Sequence, residues 1–182
     1  MRGILKNWHR YLLWLVISVV FWSWIFTRIM DAPASQKVLF YADLPDLDRK
    51  ALSAVLETDK PETVRFVEAR AFMDEYFTSG DVAKGDVYVV PEANIETYLP
   101  SFTPLDSAAF PDLPRYEVDG KVYGLCVYDE EAGIRIGSRY LLYETGARYY
   151  LFFNANSLHL GEGNGSVDDG AIRAARIFLT LP

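Results

Sequence analysis

Gly85-Asp-Val-Tyr-Val-Val-Pro91 is the stretch on which the fold turns. Val87 to Val90 is an unbroken apolar run of β-formers, the clearest strand signal in the chain. Pro91 closes it and predicts a helix over PEANIETYL (91–99), because proline is favoured at the first helical position. Toward the N-terminus, Lys37-Val-Leu-Phe-Tyr-Ala42 is a second apolar strand, followed by a turn at Asp43 to Asp46. Asp46 is placed to cap a helix over Leu47 to Thr58, with Leu47, Ala51, Leu52, Val55 and Leu56 on one face. Thr63 to Ala69 alternates like a strand, and Phe72 to Phe77 reads as a short helix or turn closed by Ser79-Gly80. Strand and helix thus alternate three times, which predicts a parallel sheet.

Downstream the pattern changes. Ser101 to Pro114 is proline-rich and irregular. Asp119-Gly120 between two β-prone runs predicts a hairpin, with Tyr123 to Tyr128 continuing as a strand. Arg148 to Asn154 reads as a central strand. The glycine-rich loop NANSLHLGEGNGS (154–166) lacks the spacing of a phosphate cradle. Its Glu162 and Asn164, with Asp168 and Asp169, do not fit a calcium loop. Ser166 with Asp169 has capping-box spacing ahead of a last helix, whose Ala171, Ala174, Ala175, Phe178 and Leu179 face inward. The expected domain is α/β, a three-layer αβα arrangement. Its sheet is mostly parallel with added antiparallel strands, and Leu39, Val89 and Phe153 lie in central strands.

Before this domain, Tyr11 to Thr27 carries no charge. A bilayer core about 30 Å thick takes about 20 residues, and extension past Arg28 reaches that length. The expected organisation is a cytoplasmic segment 1–10, a membrane anchor over Tyr11 to Ile29, a linker 30–36 and a domain 37–182. Tryptophans 8, 14, 22 and 24 supply interfacial rings. Arg2, Lys6 and Arg10 precede the helix against Arg28 after it, so the N-terminus is expected inside and the domain outside. Ala32-Pro33-Ala34 loosely resembles a cleavage site, but the apolar run is longer than a signal peptide requires, so a retained anchor is expected.

Four of the 18 basic residues precede Asp31, leaving 14 against 25 acids and a net charge near −11 beyond it. Such a domain repels phosphate, which argues against nucleic acid as a partner. Cys126 is the only cysteine, so no internal disulfide forms, and its apolar surroundings suit a buried small hydrophobe better than a thiol paired with His159.

The runs KVLFYADLPDLDRKALSAVLE (37–57), GDVYVVPEANIETYLPSFTPLD (85–106) and DGKVYGLCVYD (119–129) resemble the first lobe of bacterial extracellular solute-binding proteins of sugar-type ABC transporters. YYLFFNANSLHL (149–160) and AIRAARIFLTL (171–181) are similar to the segment that returns to that lobe. The resemblance implies one lobe of a periplasmic-binding-protein fold. Only Glu130 to Ala147 stands where a second lobe would lie, and Cys126 replaces a usual proline. A hairpin-like link over 130–147, with short strands near Arg135 to Gly137 and Tyr140 to Tyr143, is expected to leave an open face.

Ligands of parallel sheets meet the carboxyl ends of strands. That reasoning nominates Asp43, Arg70, Phe72, Glu92, Tyr128 and Asp129 as ligand-binding residues. The expected partner is a small solute or a protein of the envelope or a transporter, with no cofactor and no metal. No G-x-S-x-G, H-E-x-x-H or paired histidine suggests catalysis. A structural or assembly protein docking through LPSFTPLDSAAFPDLP (99–114) is the competing expectation.

Overall fold

The computed structural model describes residues 8–30, 32–73, 77, 80, 82–106, 110, 112–161 and 166–182. The residues expected around Asp74 to Ser79, the centre of the 99–114 stretch, and Glu162 and Asn164 lie wholly or partly outside them. The chain divides into two units, Met1–Pro33 and Ala34–Pro182.

In the first unit, α1 (Trp8–Met30) is 23 residues long, roughly 34 Å at 1.5 Å per residue. Its large apolar side chains from Trp8 to Phe26 are exposed around the circumference. The span is long and apolar enough to cross a membrane.

In the second unit, strands β1 (Lys37–Asp43), β2 (Phe66–Phe72), β3 (Val87–Pro91), β4 (Arg115–Val118), β5 (Lys121–Asp129), β6 (Ile134–Arg135) and β7 (Tyr149–Phe153) build one sheet. Its order is β2-β1-β3-β7-β5-β4, with β6 on β5. β1 pairs parallel with both β2 and β3, as the strand–helix alternation predicts. The pairs β3–β7, β7–β5, β5–β4 and β5–β6 are antiparallel. The sheet is therefore mixed rather than mostly parallel, because no helix crossover separates the later strands. Leu39, Val89 and Phe153 all lie on inner strands. The Asp119-Gly120 turn has φ of 52° and 74°, the left-handed geometry a two-residue hairpin demands.

One face of the sheet is covered by α2 (Arg49–Leu56) and α4 (Gly170–Leu179). Leu52, Leu56, Ala171, Ala174, Ala175 and Phe178 pack on Val38, Phe40, Val67, Val87, Val89, Leu151 and Phe153. α2 starts two residues later than expected. Asp48 caps it by accepting the Ala51 amide at 3.0 Å, while Asp46 is engaged by the Leu47 amide at 2.8 Å. β2 is displaced three residues from Thr63–Ala69, because Val64 closes a turn on Pro61 and Arg65 donates to Gln36. At the C-terminus, Ser166 does not cap α4. Its hydroxyl accepts the Leu160 amide, and the Gly170 amide is bonded by Asp168.

The other face has no comparable helix among the described residues, contrary to the expected third layer. 3-10 turns at Glu92–Asn94 and Leu99–Ser101 flank a single helical turn, α3 (Ile95–Tyr98). Asn94, at φ −101°, ψ −6°, joins the first 3-10 turn to α3 and donates its side chain to Asp43. Aromatic rings fill this face instead. Phe77 stacks on Tyr98 at 3.8 Å between centroids and Phe102 on Phe152 at 4.5 Å, beside Tyr41, Phe72 and Tyr88. Asn154 joins the two ends of this layer, donating to the carbonyls of Ala83 and Gly85 at 3.0 and 2.8 Å.

Glu130 to Ala147 forms a different link from the one expected. Ile134–Arg135 turns back onto β5, and Leu141 makes an isolated bridge to Leu47.

Candidate functional site

β7 runs against both β3 and β5, so β5 points the same way as β1, β2 and β3. The carboxyl ends of four strands consequently share one edge of the sheet, with the first residues of β7 between them. A cleft of about 1160 Å³ opens there, neither enclosed nor flat. Asp43, Phe72, Glu92 and Asp129, four of the six nominated residues, line it together with Met73, Asn94, Glu130, Glu131, Glu144 and Arg148.

The cleft is acidic. Six carboxylates line it against one guanidinium, that of Arg148. Arg148 Nε lies 3.1 Å from Asp129 Oδ2, with its terminal nitrogens 3.8 Å from Glu92 and 3.6 Å from Glu131. Asp129 and then Glu92 raise the Arg148 pKa further above its ordinary value. Asp129 is held from its other oxygen, which accepts the Glu131 and Ala132 amides at 3.0 and 3.1 Å. Asn94 donates to Asp43 at 2.8 Å, and the Glu92 amide bonds the Arg148 carbonyl at 2.8 Å. The wall is thus preorganised by backbone and side-chain bonds. Phe72 and Met73 supply apolar floor beside it, and Met73 is largely exposed.

Two nominated residues lie elsewhere. Arg70 is drawn along β2 to Glu68 at 2.8 Å, where Lys37 and Arg49 also converge on the same carboxylate. Tyr128 is turned into the helix-side core, stacked on Tyr143 at 4.3 Å. A bulge causes this turn. Cys126 opposes Tyr150 and Tyr128 opposes Tyr149, so Val127 and Tyr128 share a face and the alternation shifts by one.

Arg148 was not among the nominated residues. The signal was available, since a lone cation precedes an apolar strand. Placing it at the carboxyl edge requires knowing that β7 runs in reverse. Cys126 does not line the cleft; its thiol is pushed up to about 11 chiefly by burial, with the charge of Asp129 adding to the effect. That value disfavours the thiolate a nucleophile needs. Among the described residues, no group of three or more His, Cys, Asp or Glu side chains is arranged to hold a metal ion.

Comparisons of the chain with protein-family models, with curated proteins and with solved structures return no match.

Proposed function

We propose that this protein is a membrane-tethered, extracytoplasmic binding module that recognises a positively charged ligand without transforming it. The carrying observation is the acidic cleft at the shared carboxyl edge, six carboxylates around a single arginine. Carboxylates at several orientations accept hydrogen bonds from ammonium or guanidinium groups, and the apolar floor at Phe72 and Met73 suits the methylene stem of such a ligand. A basic solute and a basic segment of an envelope or transporter protein share this chemistry. The resemblance to one lobe of a solute-binding protein accords with a cleft at the strand ends. Because only the short link 130–147 stands where a second lobe would lie, binding is shallow and does not depend on hinge closure. The helix Trp8–Met30 serves as a single-pass anchor, and the basic residues preceding it keep the N-terminus inside.

The full chain in lipid nanodiscs is titrated with spermidine, an arginine-rich peptide and neutral sugars. The cations are expected to bind, more weakly as salt rises. Glu92→Gln with Glu131→Gln is expected to weaken them roughly three- to tenfold. Sugar binding with no response to cations defeats the reading of the ligand. Protease added to intact cells removes the domain if it is outside, and its protection reverses the topology.

A further inference from the structure

The loop between β7 and α4 carries a buried polar cluster apart from the cleft. His159 is 1 % exposed. Its Nδ1 lies 2.7 Å from Asp168 Oδ1 and its Nε2 lies 3.0 Å from the Ala34 carbonyl oxygen. Neither oxygen can donate. A neutral imidazole has one N–H and satisfies one of these contacts, whereas the imidazolium satisfies both.

The groups around the ring favour that cation from every side. Asp168, ahead of α4, also accepts the Thr63 hydroxyl at 2.6 Å and the Gly170 amide at 2.8 Å. Asp86, ahead of β3, is held by the Ser157 hydroxyl at 2.6 Å and the Leu39 amide at 2.7 Å. Ser157 Oγ in turn accepts the His159 amide. The turn at Ala34–Gln36 presents a backbone carbonyl, and the segment before β2 presents the Thr63 hydroxyl. The nearest charges further along α4, Asp169 and Arg173, pair with one another at 2.9 Å.

We propose that His159 is a proton-operated latch. Its imidazolium pins the carbonyl of Ala34, where the folded unit begins, and loss of the Nε2 proton releases that segment. The proton facing the carboxylate of Asp168 stays, and the proton facing the neutral carbonyl is the one given up. Burial by itself lowers the histidine pKa. The bonds to Ala34 and Asp168, with the charges of Asp86 and Asp168, outweigh it and raise the pKa above 6.5. Because the folded-state value is the raised one, the latch contributes fully below the unfolded value. Its contribution is lost as pH rises through the folded value. This inference is independent of what the cleft binds.

The test uses the full chain, ¹⁵N-labelled at histidine, in detergent micelles. His9 is the other histidine, and its resonances are assigned with a His9→Gln variant. Two-bond ¹H–¹⁵N spectra are expected to show both His159 ring nitrogens protonated at pH 6.5, with a midpoint above that pH. Across the same midpoint, amide exchange at residues 35–37 is expected to rise about tenfold beyond its intrinsic pH dependence. Asp168→Asn is expected to lower the midpoint. A ring carrying one proton at pH 6.5 overturns the latch. So does exchange at 35–37 that does not follow the titration. Both are read on the unsubstituted protein, so a variant that fails to fold does not affect them.

Discussion

The two faces of the central sheet are built from different material. On one side, Val38, Val87, Val89 and Leu151 pack under two regular helices. On the other, Tyr41, Phe72, Tyr88, Tyr98, Phe102 and Phe152 form a layer of rings held by short turns. Small aliphatic groups let helix backbones approach a sheet closely and repeat with helical periodicity. Large rings span the gap from the sheet themselves, so the chain covering them has no need of a helix. The helix-covered face depends mainly on packing, whereas the aromatic face depends more on polar tips finding partners.

The largest expected effect lies on the aliphatic face. Phe178 is fully buried, with its ring 4.9 Å from that of Phe40. Phe178→Ala should cost about 3–5 kcal/mol, read as a shift in the midpoint of chemical denaturation. The aromatic face should resist added bulk. A Cβ at Gly124 would lie 2.6 Å from the Phe152 ring, which is itself sandwiched by Phe102. Gly124→Ala is expected to cost about 1–3 kcal/mol in the same measurement. A loss under 0.5 kcal/mol would mean that the ring layer is softer than its stacking implies.

Tyr88→Phe separates ring from hydroxyl. The hydroxyl donates to the Val82 carbonyl at 2.5 Å and receives a longer contact from Asn154 at 3.4 Å. Its removal should cost about 1–2 kcal/mol. The Tyr88 pKa is raised, chiefly by burial, so this bond is expected to persist through mildly alkaline pH while the His159 latch opens. Glu131→Gln should change stability by less than about 0.5 kcal/mol, because its side chain is largely exposed. Its effect belongs to ligand titration.

The same contrast explains what could be read from the sequence. Period and turn chemistry identify β1, β3 and β7, the Asp119-Gly120 hairpin and the buried alanine face of α4. Each is a local pattern serving a regular element. PEANIETYL is helical from Glu92 onward, but Pro91 ends β3 instead of opening the helix, and 3-10 turns flank a single α-turn at Ile95–Tyr98. In the cleft, Asp43, Phe72, Glu92 and Asp129 follow from the rule that parallel strands present their carboxyl ends together. Arg148 enters through strand reversal. Tyr128 leaves through a one-residue bulge, and Arg70 is captured by Glu68. None of those three outcomes has a local signature, since each depends on a pairing partner distant along the chain.

The position of β7 carries a consequence for how the chain matures. Val87 to Pro91 pairs on one side with β1, which has already been made when it emerges, but on the other with Tyr149 to Phe153, roughly 60 residues later. During synthesis, the apolar outer edge of β3 remains open until that late segment arrives. An unpaired apolar edge is a template for association with other chains. Truncation before Tyr149 should therefore produce aggregation rather than a smaller soluble domain, and a holding chaperone is expected to engage the nascent chain in that interval.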